Sequence, residues 1–214
     1  MNLFTRKFVG LEISSTGVKL VELKKIDGDL HVHRFKTILL RAGVIENGEI
    51  KDTVELIARI KELVTATETK GADCAFAVVG NYPIVKKISL PRMAPSELED
   101  SIHWESEQHI PFDINNIYLD AMISNPDAGQ GQMHVLLAAN MKSRIDPFCE
   151  VITKAGLNPV VMDVPAFLLT DAFLRSNQGP HQDESIVLLD FRDKSVMFSI
   201  VVEGKLEFVQ EICL

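Results

Sequence analysis

The sequence predicts an α/β protein made of duplicated β-β-β-α-β cores, with a smaller α/β subdomain inserted in the first and the second expected to be truncated at Leu214. Three observations carry this. Runs of period two give way to runs of period 3.6 and back again. The opening strand pattern returns near the end of the chain at an offset of about 178 residues. Between two short apolar runs, at 75–79 and 158–163, lies a stretch with strands and helices of its own.

Taken in order, residues 7–14 read as a strand, and after Ser15-Thr16-Gly17 the run Val18-Lys19-Leu20-Val21-Glu22-Leu23 alternates apolar and polar. Asp27-Gly28 signals a hairpin into a third strand at 30–40. Asp52 with Glu55 three residues on predicts a capped helix, whose apolar stripe is Leu56, Ile57, Ile60, Leu63 and Val64. The run 75–79 suits a strand buried on both faces and completes the first β-β-β-α-β unit. A second block starts near Gly80 with a strand at 84–90. Ser96 with Glu99 reads as a capping box for a helix that Pro111 stops near His109. Strands at 117–124 and 133–140 follow, then a helix from Ser143 with Ile145, Phe148, Ile152 and Ala155 on one face, closed by Gly156. Residues 158–163 read as a buried strand, 165–174 as a helix and 176–183 as a linker. The expected division is 1–79 with 157–178 as the first core, 80–156 as the insert and 184–214 as the start of the second core.

Composition bounds what this architecture can do. The 214 residues are 46% hydrophobic and 24% charged, a profile that excludes a disordered or collagen-like chain. With 22 basic against 30 acidic residues the net charge is −8, which argues against a general grip on nucleic acid or anionic lipid. Cys74, Cys149 and Cys213 lack metal-type spacing and suit a reducing compartment. No apolar run approaches the ~18 residues that span a bilayer. A cytoplasmic place, with any membrane reached only through partners, is the expectation.

The repeat is specific enough to align. At an offset of 178, Glu12 falls on Asp190, Val18 on Val196 and Leu20 on Phe198; at 176, Gly28 falls on Gly204, Leu30 on Leu206 and Val32 on Phe208. Each copy is a strand ending in a carboxylate, a short polar loop, a second strand, a glycine turn and a third strand. Two such units describe the actin-like, or ribonuclease H-like, architecture, in which paired hairpin loops hold nucleotide phosphates. That chemistry needs backbone N–H groups close to phosphate oxygens and a carboxylate facing a metal. Here Glu12, Ser14, Ser15, Thr16, Gly17 and Lys19 form the first candidate loop, and Asp190 and Arg192 the second. Phe191 and Arg192 stand where small residues suit a phosphate.

The segment 10–23 resembles the opening of the PilM family of type IV pilus assembly proteins, actin-like relatives of the cell-division protein FtsA. Pro91-Arg92-Met93, Glu97-Leu98-Glu99 and Ile102-His103-Trp104-Glu105-Ser106-Glu107-Gln108-His109-Ile110-Pro111-Phe112 resemble that family's most specific stretch. Further likenesses are Val135-Leu136-Leu137-Ala138-Ala139 and Ala155-Gly156-Leu157-Asn158-Pro159. The resemblance implies a cytoplasmic scaffold whose partner is the N-terminal peptide of a PilN-like membrane protein, apolar and then basic, received in a groove between the first core and the insert. It also implies contact with other pilus assembly or motor proteins, and leaves self-association open.

The resemblance further implies ATP with magnesium, held by Glu12 and Asp190. The family commonly has Asp and Gly where Glu12 and Ser14 stand, and Asp-hydrophobic-Gly where Asp190-Phe191-Arg192 stand, so weak or absent nucleotide binding is expected. Two alternatives stay open: an active magnesium-ATP ATPase, and the cytoplasmic platform domain of a type II secretion system. For the partner, the candidate residues are Trp104, Glu107, Ile110, Pro111 and Phe112. Trp104 lies roughly 160° from the stripe set by Leu98 and Ile102, and the helix around it is acidic.

Overall fold

The computed structural model describes residues 7–80, 83–177, 184–192 and 195–213. In chain order the elements are β1 (Phe8–Ile13), β2 (Gly17–Ile26), β3 (Asp29–Leu39), β4 (Ile45–Glu46), β5 (Glu49–Ile50), α1 (Thr53–Ala66) and β6 (Asp73–Val78). Next come β7 (Ile84–Pro91), α2 (Pro95–Glu107), β8 (Ile117–Asn125), β9 (Gln132–Met141), α3 (Lys142–Lys154), β10 (Asn158–Met162) and α4 (Pro165–Ser176). Last are β11 (Ser185–Phe191), β12 (Ser195–Val202) and β13 (Lys205–Cys213). The expected linker falls largely on 178–183, outside the described residues. The chain divides into two compact units, Met1–Asn81 with Arg144–Pro165, and Tyr82–Ser143 with Ala166–Leu214.

The first unit is organised by a five-stranded sheet of order β10-β6-β1-β2-β3. The two hairpins are antiparallel, while β6 pairs parallel with both β1 and β10. The two apolar runs thus share one parallel sheet, as their composition predicts. α1 starts where expected, because the Asp52 carboxylate accepts the Glu55 N–H at 3.0 Å. Its stripe, with Leu56, Ile60 and Leu63, packs with Val9, Leu11 and Ile13 of β1 and Phe148 and Ile152 of α3. β10 departs from expectation: Val160 and Val161 are each 47% exposed, so this is an edge strand rather than a buried one. A short apolar run has the same appearance at the centre and at the rim of a sheet, and Pro159, which has no N–H to donate, suits the rim.

The second unit contains two three-stranded antiparallel sheets, β7-β9-β8 and β11-β12-β13. α2 covers one face of the former, with Leu98 and Ile102 against Leu90, Met133, Val135 and Leu137. The Ser96–Glu99 box is not what starts this helix. Ala94 is the cap, and its N–H donates to the Glu97 carboxylate at 2.8 Å. Pro95 explains the difference, since proline's fixed φ favours the first helical position and places Ser96 inside the first turn. Lys87 of β7 forms an ion pair with Glu207 of β13.

Candidate functional site

The two hairpins that carry the candidate carboxylates are built alike. Glu12 lies opposite Lys19 and Ile13 opposite Val18; Asp190 lies opposite Met197 and Phe191 opposite Val196, the same pairs 178 residues on. The Ser14 N–H donates to the Gly17 carbonyl at 2.9 Å, and the Arg192 N–H to the Ser195 carbonyl at 2.8 Å. Both second strands meet their third across a register shift, at Glu22/Leu23 and at Ile200/Val201. The duplication is therefore geometric. The sequence alignment needs one correction in the third strand, where Thr37 opposite Lys19 corresponds to Glu211 opposite Met197, an offset of 174 rather than 176. The second hairpin is two residues shorter on each arm. An even step leaves every side chain on its own face, which is why the slip is invisible to a period-two reading.

In the first loop Glu12, Ser14, Thr16, Gly17 and Lys19 each have a local partner. Lys19 Nζ lies 2.7 Å from Glu12 Oε1, with both side chains about half exposed. Ser14 Oγ accepts the Gly17 N–H at 3.1 Å and lies 2.9 Å from the Gly17 carbonyl and 3.2 Å from Thr16 Oγ1. Gly17 is required by packing, since a Cβ there would sit 2.8 Å from the Ile38 carbonyl oxygen. Ser15 is partly buried and Thr16 is exposed.

The second loop holds its own cation. Arg192 Nε is 2.7 Å from Asp190 Oδ2 and its Nη1 3.3 Å from Glu211 Oε1, with the arginine side chain only 10% exposed. Ser195 Oγ donates to the same Glu211 oxygen at 2.5 Å. Glu211 escaped the sequence reading because only the strand register brings it to Arg192. The residues present do not fit a magnesium-bound phosphate. Arg192 occupies the charge of Asp190, and the Ser14 hydroxyl has taken the Gly17 N–H that a phosphate oxygen would need. No group of three or more His, Cys, Asp or Glu side chains suited to a metal occurs among the described residues.

The partner candidates lie on α2 and its exit. Leu98, Ile102 and Ser106 face inward, and Trp104 on the opposite side is 70% exposed. Glu107, Pro111 and Phe112 are exposed as well. Ile110 is not: it packs with Ile117 and Ala139. The helix closes through the His109 and Ile110 N–H groups on the Ser106 carbonyl, at 2.9 and 3.0 Å. Asp113 then accepts the Asn115 N–H at 2.9 Å and caps a single 3-10 turn. The exit corner is thus fixed from inside by Ile110, with Trp104 and Phe112 left at the surface.

The model of the family described as type IV pilus assembly protein PilM matches residues 10–213. The chain belongs to the PilM family. A solved chain from a PilM–PilN type IV pilus biogenesis complex is 26% identical, with a TM-score of 0.84 over 97% of this chain and 62% of that one. This chain therefore spans less than two thirds of the length of that PilM relative. The cytoplasmic domain of EpsL, an inner-membrane component of the type II secretion system of Vibrio cholerae, matches at 8% identity and a TM-score of 0.58, over 97% of this chain and 71% of that one. That likeness is one of fold alone. The α/β, actin-like architecture expected of a PilM is the one observed. Among the described residues, no helix is long and apolar enough to cross a membrane.

Proposed function

We propose that this chain is an assembly scaffold of the type IV pilus that receives the extended N-terminal segment of a PilN-like inner-membrane protein on the cytoplasmic side. The observation that carries the reading is its likeness, at a TM-score of 0.84, to a chain from a PilM–PilN complex. The chemistry of α2 supports it. An exposed tryptophan on a helix carrying Glu97, Asp100 and Glu107, with an exposed Phe112 past its end, suits a peptide that is apolar and then basic. The buried Ile110 holds the corner rather than meeting the peptide, and Pro111 stays exposed beside Phe112 in the chain. Nucleotide takes no part in this reading, because the carboxylates it would use are paired with Lys19 and Arg192.

Fluorescence anisotropy with a labelled PilN-type peptide tests it. Trp104→Ala is expected to weaken binding by roughly 1–3 kcal/mol with the melting temperature unchanged. Unchanged affinity in the folded variant removes Trp104 from the site. Calorimetric titration with magnesium and ATP separates the rival ATPase reading: micromolar binding lost in Asp190→Ala would restore it.

A further inference from the structure

The longest strand of the first unit, β3, is an edge of its sheet, and the half of the β2–β3 hairpin beyond the register shift is exposed on both faces. Register aligns Val21 with Phe35, Leu23 with Val32 and Lys25 with Leu30, so these six side chains form one ladder on the face opposite Leu20. Four of them are large, apolar and well exposed: Leu23 48%, Leu30 60%, Val32 65% and Phe35 62%. Contiguous apolar exposure of this kind marks an interaction surface more often than a solvated rim. Lys25 ends the ladder, and Lys24 and Lys36 stand on the opposite face; none of the three is in an ion pair among the described residues, whereas Arg34 is committed to Glu22 at 2.5 Å. Asp27 lies in the turn and Asp29 is the first residue of β3, at the far end of the ribbon.

We propose that the free edge of β3 takes an additional strand from a partner segment in which acidic residues alternate with apolar ones. The backbone edge supplies hydrogen bonds, the ladder supplies apolar contact on one face, and the lysines set the charge of the partner. Lys36 on the edge strand, with Lys24 and Lys25 on the strand behind it, opposes pairing between two copies of β3 and leaves an acidic strand favoured. A lipid surface would supply no hydrogen-bonding partners for the edge N–H and C=O groups. The surface belongs to the first unit and does not depend on peptide docking at α2.

The test uses the 214-residue chain and a fluorescein-labelled eight-residue peptide alternating glutamate with valine. Anisotropy should report binding that falls about tenfold or more when alternate peptide nitrogens are methylated, which blocks strand addition and keeps the side chains. A similar loss is expected in Lys24→Glu/Lys25→Glu and in Val32→Glu, with melting temperatures unchanged because all three positions are exposed. Three results overturn the proposal. One is no binding, or equal binding of the methylated peptide or of a lysine–valine peptide. The second is co-sedimentation with phosphatidylglycerol vesicles in place of peptide binding. The third is a concentration-dependent dimer that Val32→Glu abolishes while the peptide stays unbound.

Discussion

Arg192 and Lys19 show how burial decides what an ion pair is worth. Lys19 and Glu12 are about half exposed, so solvent screens them and Lys19→Ala should cost under about 1 kcal/mol. Arg192 is 10% exposed and serves both Asp190 and Glu211, so Arg192→Ala leaves two carboxylates facing each other without a cation. A loss of roughly 3 kcal/mol in urea denaturation is expected, the lower end of the range for a broken buried pair because Asp190 is 35% exposed. Adding Asp190→Asn should recover part of it. Cys74 gives a pH signature. Burial pushes its thiol up from an ordinary 9.0 to about 12, so the unfolded chain loses the proton first. The thiol's contribution is whole below pH 9 and is lost as the pH rises toward 12, by up to ~1.4 kcal/mol per pH unit. Between about pH 8 and pH 10 the wild type should therefore lose more stability than Cys74→Val, read from urea midpoints.

Among the elements, the glycines of the first hairpin have separable reasons. Gly17 lies where β3 crosses close, and its missing Cβ would meet a backbone oxygen at 2.8 Å. Gly28 sits in open space at φ +101°, beside Asp27 at +52°, in a turn repeated by Glu203 and Gly204 at +51° and +73°. Gly17→Ala should cost roughly 1–3 kcal/mol by overpacking, against about 1 kcal/mol for Gly28→Ala through backbone strain. Thermal melts of the two variants check the order, and a larger effect at Gly28 would refute the packing account of the loop. The α1 cap was legible because Asp52 makes its bond within three residues. The α2 cap was not, because two capping patterns overlap there and Pro95 decides between them.

At the scale of the molecule, apolar burial is concentrated rather than uniform. β1, β6 and α1 share one cluster in which Val9, Ile13, Leu56, Ile60, Leu63 and Cys74 are fully buried. The hairpin beyond the shift at Glu22/Leu23 has exposed side chains on both faces. Native-state hydrogen exchange should therefore be slowest in β1, β6 and the middle of α1, and fastest among residues 23–33. Protection of that ribbon equal to β1 would contradict the distribution of buried surface.

Sequence alone determined the α/β class, the order of elements, the duplicated hairpins and the resemblance to PilM, because these follow from periodicity, turn residues and segments read along one stretch of chain. Tertiary structure decided the rest. It set β10 at an edge, moved the third-strand offset to 174, turned Ile110 inward and joined Arg192 to Glu211 and Lys87 to Glu207. These pairings depend on which strands lie side by side and in what register, and residues 19 and 120 positions apart carry no local signal of their contact. An alternating pattern assigns a side chain to a face; only the assembled sheet and the helix packed on it determine whether that face meets core, a counter-charge or water.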